Sequence, residues 1–221
     1  TGQLKAGFQG AMDLEHALTL LQYTTKASSS ELNALKIQAQ NVGAKLGPIT
    51  ATDIIRGQAQ MKGLLGMTNP RLFAMTERIS QIVSNMIEVS NYTVSPDQGF
   101  RSLKEMLATG GGVKNKAFAE SLLNSMHAAI VTYAKEDPIA LLQGARNFLP
   151  LAKSIGASPE QIAMLSSWRY MNAIGGARSA GRDLESFMKS ILELGSSGGN
   201  VSKKRTQRQT FGEAFGIGAG N

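Results

Sequence analysis

The sequence predicts an all-α chain, a multi-helix bundle of about nine short-to-medium helices. Three observations predict it. Leu, Ile, Ala and Met recur by threes and fours along most of the chain, the period of one helix face. Ser, Thr, Asn and Asp stand where those periods begin, often just before proline, and glycine stands where several of them end. Strand patterns are nearly absent, and β-branched groups such as Ile130-Val131-Thr132 fall inside a helical period.

Taken in order, the first helix is expected over about 12–26, with Leu14, Leu18 and Leu21 on one face. The second runs over about 29–46. Ser28 and Glu31 have capping-box spacing, Leu32, Leu35, Ala39, Val42 and Leu46 form the apolar stripe, and Gly47-Pro48 ends it. The third spans about 51–66 behind Thr50 and Asp53, an Asp being a weaker capping-box partner than a Glu. The fourth, about 70–93, starts at Asn69-Pro70 and carries Leu72, Met75, Ile79, Ile82, Met86 and Val89 on one side. The fifth, about 96–109, starts at Ser95-Pro96 and breaks at Gly110-Gly111-Gly112. The sixth, about 115–135, presents Phe118, Leu122, Met126, Ile130 and Tyr133. The seventh starts at Asp137-Pro138, and Pro150 is expected to kink or end it.

The stretch from Leu141 to Leu194 holds the densest turn chemistry. Gly156 is suited to the left-handed conformation that closes a helix without a Cβ penalty. Ser158 then caps the eighth helix, Pro159 takes its first position, where a missing N–H costs nothing, and Gln161 completes a capping box. Gly175-Gly176 through Gly181 separate the helix around Trp168 from a ninth around Phe187, small residues there permitting a close approach of two helices.

Composition bounds the rest. The chain has 221 residues, 42% of them hydrophobic but only 6% aromatic, so its core is aliphatic, with ten Met to fill irregular gaps. It has no Cys, which excludes disulfides and thiolate metal sites and suits a reducing cytoplasm. No apolar run approaches the roughly 18–20 residues that span a bilayer, and no signal peptide is evident. The missing initiator Met and the glycine-rich end suggest a piece of a longer protein. Of the net charge of +7, the concentrated part is the tail. There Lys203, Lys204, Arg205 and Arg208 oppose Glu213. Residues 1–195 are expected to form the helical domain, with a possible sub-boundary at 110–112. Residues 196–221 are expected to be a flexible, basic Gly/Ser-rich connector.

Candidate chemistry resolves mostly into structure. His16 and His127 lie 111 residues apart and belong to no evident ligand set, so no metal site is expected. Gly110 to Lys116 lacks the phosphate-loop spacing, and Gly175 to Gly181 lacks the dinucleotide fingerprint; neither follows a strand. Asp137 reads as an N-cap, and Asp183 and Glu185 as first-turn acids favoured by the helix dipole. No nucleophile, base and orienting group converge, so neither an enzyme nor a cofactor is expected. Trp168, Arg169 and Tyr170 offer a base-stacking surface, but Leu165, Trp168, Met171 and Ile174 share a face, which favours core. Lys203, Lys204, Arg205 and Arg208 suit phosphate contact or a solvated linker. Phe211 and Phe215, one helical turn apart, suit docking to a partner.

The run LLQGARNFLPLAKSIGASPEQIAMLSSWRYMNAIGGARSAGRDLESFMKSI resembles the core region of phage tail tape measure proteins. Ala152, Lys153, Ser154, Gly156, Ser158, Glu160, Ala163, Gly176, Ala180, Gly181 and Leu184 fit that family's pattern of small residues and caps. The resemblance covers about a quarter of the chain, with a looser likeness over residues 24–90. It implies a structural component of the tail interior, made in the host cytoplasm and carried in the virion. Such proteins set tail length during assembly and leave the tube ahead of the genome. It also implies other tail proteins of the tube or tip complex as partners, a homo-oligomer, transient contact with genome DNA and no small molecule. Two rival readings are a membrane-active helical module for genome delivery and a lytic domain of the same tail protein. Extended as one helix the chain would reach roughly 330 Å; folded compactly its radius of gyration would be about 17 Å. The many helix breaks favour the compact form.

Overall fold

The computed structural model describes residues 2–65, 68–109, 115–134 and 137–171, and among them every regular element is an α-helix. The chain divides into two compact units, Thr1–Ala108 and Thr109–Asn221, just before the triple glycine at 110–112.

The first unit contains α1 (Gly2–Thr25), α2 (Ser29–Leu46), α3 (Ala51–Leu65), α4 (Asn69–Val89) and α5 (Pro96–Thr109). Helix α3 is its centre and packs against α1, α2 and α4. Ile54, Ile55 and Met61 of α3, Leu72, Ile79, Ile82 and Met86 of α4, and Leu103 of α5 are completely or almost completely buried. Removing such side chains from water is the main favourable term for a core built without many aromatics. Two glycines bring α5 in close. Gly57 of α3 lies under the ring of Phe100, and Gly99 of α5 lies against Val83 of α4.

Local chemistry sets the helix starts. Ser28 and Glu31 form a reciprocal capping box, with Ser28 N–H donating to Glu31 Oε2 at 2.9 Å and Glu31 N–H to Ser28 Oγ at 3.3 Å. Thr50 and Asp53 form the same box at 2.9 and 3.2 Å. Ser95 and Gln98 form another, at 2.9 and 3.3 Å, which the sequence reading did not pick out.

The second unit contains α6 (Lys116–Tyr133), α7 (Pro138–Ser154) and α8 (Pro159–Met171). Helix α8 packs on both α6 and α7. Leu122, Met126, Ile130, Leu141, Leu142, Ala145, Leu149, Ala152 and Ile162 are among the residues of its core. Asn115 and Asp137 cap α6 and α7 by accepting from the N–H groups of Phe118 and Ala140, at 3.1 and 2.9 Å.

Three boundaries differ from expectation. Helix α1 begins at Gly2, upstream of the expected 12, because Gly7 and Gly10 weaken a helix without stopping it. Helix α4 stops at Val89, short of 93, because Asn91 and Tyr92 take φ of 50° and 63°. Helix α7 does not end at Pro150 but continues to Ser154. Pro150 is exposed and lacks only the N–H that Arg146 O would accept, while Leu149 and Ala152 beside it are fully buried. Tyr133, expected on the apolar stripe of α6, is 47% exposed at the helix end. The expected ninth helix lies outside the described residues.

Candidate functional site

The joint between α7 and α8 lies within the stretch that carries the sequence resemblance. Ile155 ends α7, and Gly156 follows with φ of 81°. Gly156 N–H donates to Lys153 O at 3.1 Å and Ala157 N–H to Ala152 O at 3.0 Å. These are the two bonds of a Schellman motif, and they use two carbonyls that the helix end would otherwise leave open. Ala157 and Ala152 are both buried, supplying the apolar contact that accompanies the motif. Nothing lies within 4 Å of where a Cβ on Gly156 would stand, so its φ, not crowding, is what calls for glycine.

The start of α8 is equally specified. Ser158 N–H donates to Gln161 Oε1 at 2.8 Å, and Gln161 N–H donates to Ser158 Oγ at 3.3 Å. Pro159 is the first residue of the helix, as its spacing predicts. Glu160 reaches out of the turn to α6, where its Oε1 accepts from Ser121 Oγ at 2.6 Å. That hydroxyl, then the backbone N–H of Glu160, then Ser158, hold the Glu160 carboxyl below the ordinary glutamate range. On the other side of the turn, Lys153 Nζ stands 5.1 Å from the centre of the Phe118 ring on α6, a cation–π distance. The joint is thus attached to α6 at two points, by Ser121 and by Phe118.

No known family matches this chain. Comparisons with protein families, with curated proteins and with solved structures each give no match.

Of the expected turn residues, Gly156, Ser158, Pro159 and Gln161 converge on this joint. Gly175, Gly176 and Gly181 lie outside the described residues, as do the expected partner contacts Lys203, Lys204, Arg205, Arg208, Phe211 and Phe215. The side chain of Trp168 is likewise outside the description. Sequence reasoning missed Ser121 and Phe118 as attachment points. Their only signal was a place on the N-terminal half of α6, which does not say what packs there. Among the described residues no group of three His, Cys, Asp or Glu is placed to hold a metal ion. Among the same residues no helix is long and apolar enough to cross a membrane.

A second polar cluster lies in the first unit. Glu31 Oε2 accepts from Ser28, and its Oε1 accepts from Asn69 Nδ2 of α4 at 3.2 Å. Asn69 Oδ1 in turn accepts from Lys62 Nζ of α3 at 3.0 Å. The chain of bonds ties the starts of α2 and α4 to the last turn of α3. The backbone N–H of Ser28, then its hydroxyl, then Asn69, hold the Glu31 carboxyl below its ordinary range.

Proposed function

We propose that this chain is a structural region of a phage tail tape measure protein, acting in tail assembly and genome ejection without catalysing a reaction. The observation that carries the reading is the resemblance at Ala152 to Leu184, whose small residues and caps include those of the α7–α8 joint. Ala152, Lys153 and Gly156 serve its Schellman motif and Ser158 its capping box, so the described part of the pattern consists of residues with structural duties. Its partners in this reading are other tail proteins of the tube or tip complex and further copies of itself, with the virion as its location.

The experiment is an in-frame deletion of these 221 residues from the gene of the parent phage, with the tails examined by electron microscopy and the virions by mass spectrometry. Peptides of the chain are expected in wild-type virions and lost from the tail after ejection. Virions that lack them altogether overturn the proposal. Tail length separates two modes of action. Deletion of all 221 residues shortens the tail by roughly 330 Å if they act as an extended helical ruler. Short helices folded back on one another in compact units shorten it far less and instead impair assembly. Light scattering of the purified chain across concentration checks self-association, against which a strict monomer counts.

A further inference from the structure

The core of the first unit contains a polar pair enclosed by apolar residues. Gln58 of α3 is 2% exposed and Thr76 of α4 is 4% exposed. Gln58 Nε2 donates to Thr76 Oγ1 at 3.1 Å, and Thr76 Oγ1 donates to Leu72 O at 2.7 Å. The second bond settles the first. Thr76 has one hydroxyl proton, and Leu72 O takes it, so Thr76 can only accept from Gln58. Gln58 must therefore turn its NH₂ group toward Thr76, and the reversed amide is excluded by the bond pattern. This leaves Gln58 Oε1 as the buried atom that no protein donor meets.

Gln58 and Thr76 also line a small cavity, together with Ile54, Gly57, Met61 and Phe100 among others. A water centre has about 10 Å³ in which to move there. That is about the least space one water needs and far too little for a metabolite. A buried amide oxygen without a donor loses its hydration with nothing in return, so cavity and acceptor call for the same occupant. We propose that this cavity binds one ordered water, which donates one proton to Gln58 Oε1 and the other to the remaining lone pair of Thr76 Oγ1, and so bridges α3 to α4. It is an internal hydration site between two helices of the core.

The test is water-selective nuclear magnetic resonance on the full chain. Cross-relaxation with the sign of a long-lived bound water is expected at the Gln58 side-chain amide protons and at the Met61 and Ile54 methyls. Cross-peaks at those protons arising only from other protein protons overturn the site. Gln58→Met keeps the side-chain length but removes the acceptor, and it is expected to abolish the water signal at the Met61 and Ile54 methyls. A water signal that persists in this variant assigns the water to another group and overturns the role of Gln58. Should Gln58→Met not fold, the wild-type measurement still decides whether the water is present.

Discussion

The ring of Phe100 occupies the space in which a side chain at Gly57 would begin. A Cβ built on Gly57 stands 2.5 Å from ring carbons Cδ1 and Cε1 of Phe100, a distance real Cβ atoms do not show. Phe100 is only 3% exposed and sits among core residues, so the ring cannot simply swing out. Glycine in mid-helix costs roughly 0.5–1 kcal/mol relative to alanine, and here that cost permits α5 to dock on α3. Overpacking a tight core costs about 1–3 kcal/mol, which exceeds the propensity gain. Gly57→Ala is therefore expected to lower the Tm. Gly10→Ala, where nothing lies within 4 Å, is expected to raise it slightly. In a double-mutant cycle, Phe100→Leu is expected to recover part of the Gly57→Ala loss, with a coupling of about 0.5–3 kcal/mol. Additive effects would show that the two sites do not press on each other.

The α7–α8 joint makes a second, independent expectation. Ser158→Ala removes the acceptor for Gln161 N–H and is expected to cost about 1 kcal/mol. Gly156→Val places a β-branched residue at a φ of 81° and is expected to cost more. Gly156→Asn is expected to cost less than Gly156→Val, because Asn tolerates the left-handed region. Denaturant melts of the three variants check the order Val, then Ser158→Ala, and Asn milder than Val. Equal losses for Asn and Val would remove the left-handed backbone as the cause.

Acid is expected to loosen both units, through Glu31 in the first and Glu160 in the second. Each carboxyl is held below the ordinary glutamate value of about 4.5 by hydrogen bonds that favour its charged form. A depressed folded-state value means that the unfolded chain binds the proton first as pH falls. The stabilisation is therefore complete above about 4.5 and is lost as pH drops through the lower folded-state values. Both groups are exposed, so the effect is modest and weakens in salt. Glu31→Gln and Glu160→Gln are each expected to flatten the stability profile below pH 5, the ordinary carboxylate range, relative to wild type. Wild-type and variant profiles that run parallel through that range would remove these two groups from the acid response.

How far the structure could be read in advance follows from the distance over which each feature is encoded. The capping boxes at Ser28, Thr50 and Ser158 are legible because donor and acceptor are three residues apart in the chain. The box at Ser95 and Gln98 was equally legible and was overlooked behind the Ser95-Pro96 start. The left-handed Gly156 was legible because glycine is the usual residue there. The end of α4 was legible only in part, since Asn91 is a residue that favours such a turn and Tyr92 is not. The Gly57–Phe100 contact and the Gln58–Thr76 pair join different helices, and no local pattern encodes which helix faces which. The continuation of α7 past Pro150 rests on the burial of Leu149 and Ala152, which a single-residue rule about proline does not contain.

The end of α4 repeats the geometry of the α7–α8 joint without a glycine. Asn91 N–H donates to Glu88 O at 3.1 Å and Tyr92 N–H to Ile87 O at 2.8 Å, again the two Schellman bonds. Here Asn91 and Tyr92 both hold positive φ, 50° and 63°. The left-handed conformation costs an ordinary residue roughly 1–2 kcal/mol, and Tyr92, at 71% exposed, recovers little of it by burial. The turn is held from its buried side instead. Ser90 is 3% exposed, and its Oγ donates to Ile87 O at 3.0 Å while accepting from Val94 N–H at 3.2 Å. Because these bonds fix the backbone whatever stands at 92, Tyr92→Gly keeps the turn and removes the strain. It is expected to raise stability by about 0.5–1 kcal/mol, the relief of strain less the extra freedom glycine gives the unfolded chain. Ser90→Ala, which removes both Oγ bonds, is expected to lower stability by more than about 1 kcal/mol. Thermal melts of the two variants separate the contributions. A fall in Tm for Tyr92→Gly would mean that the exposed ring contributes packing that outweighs its backbone strain.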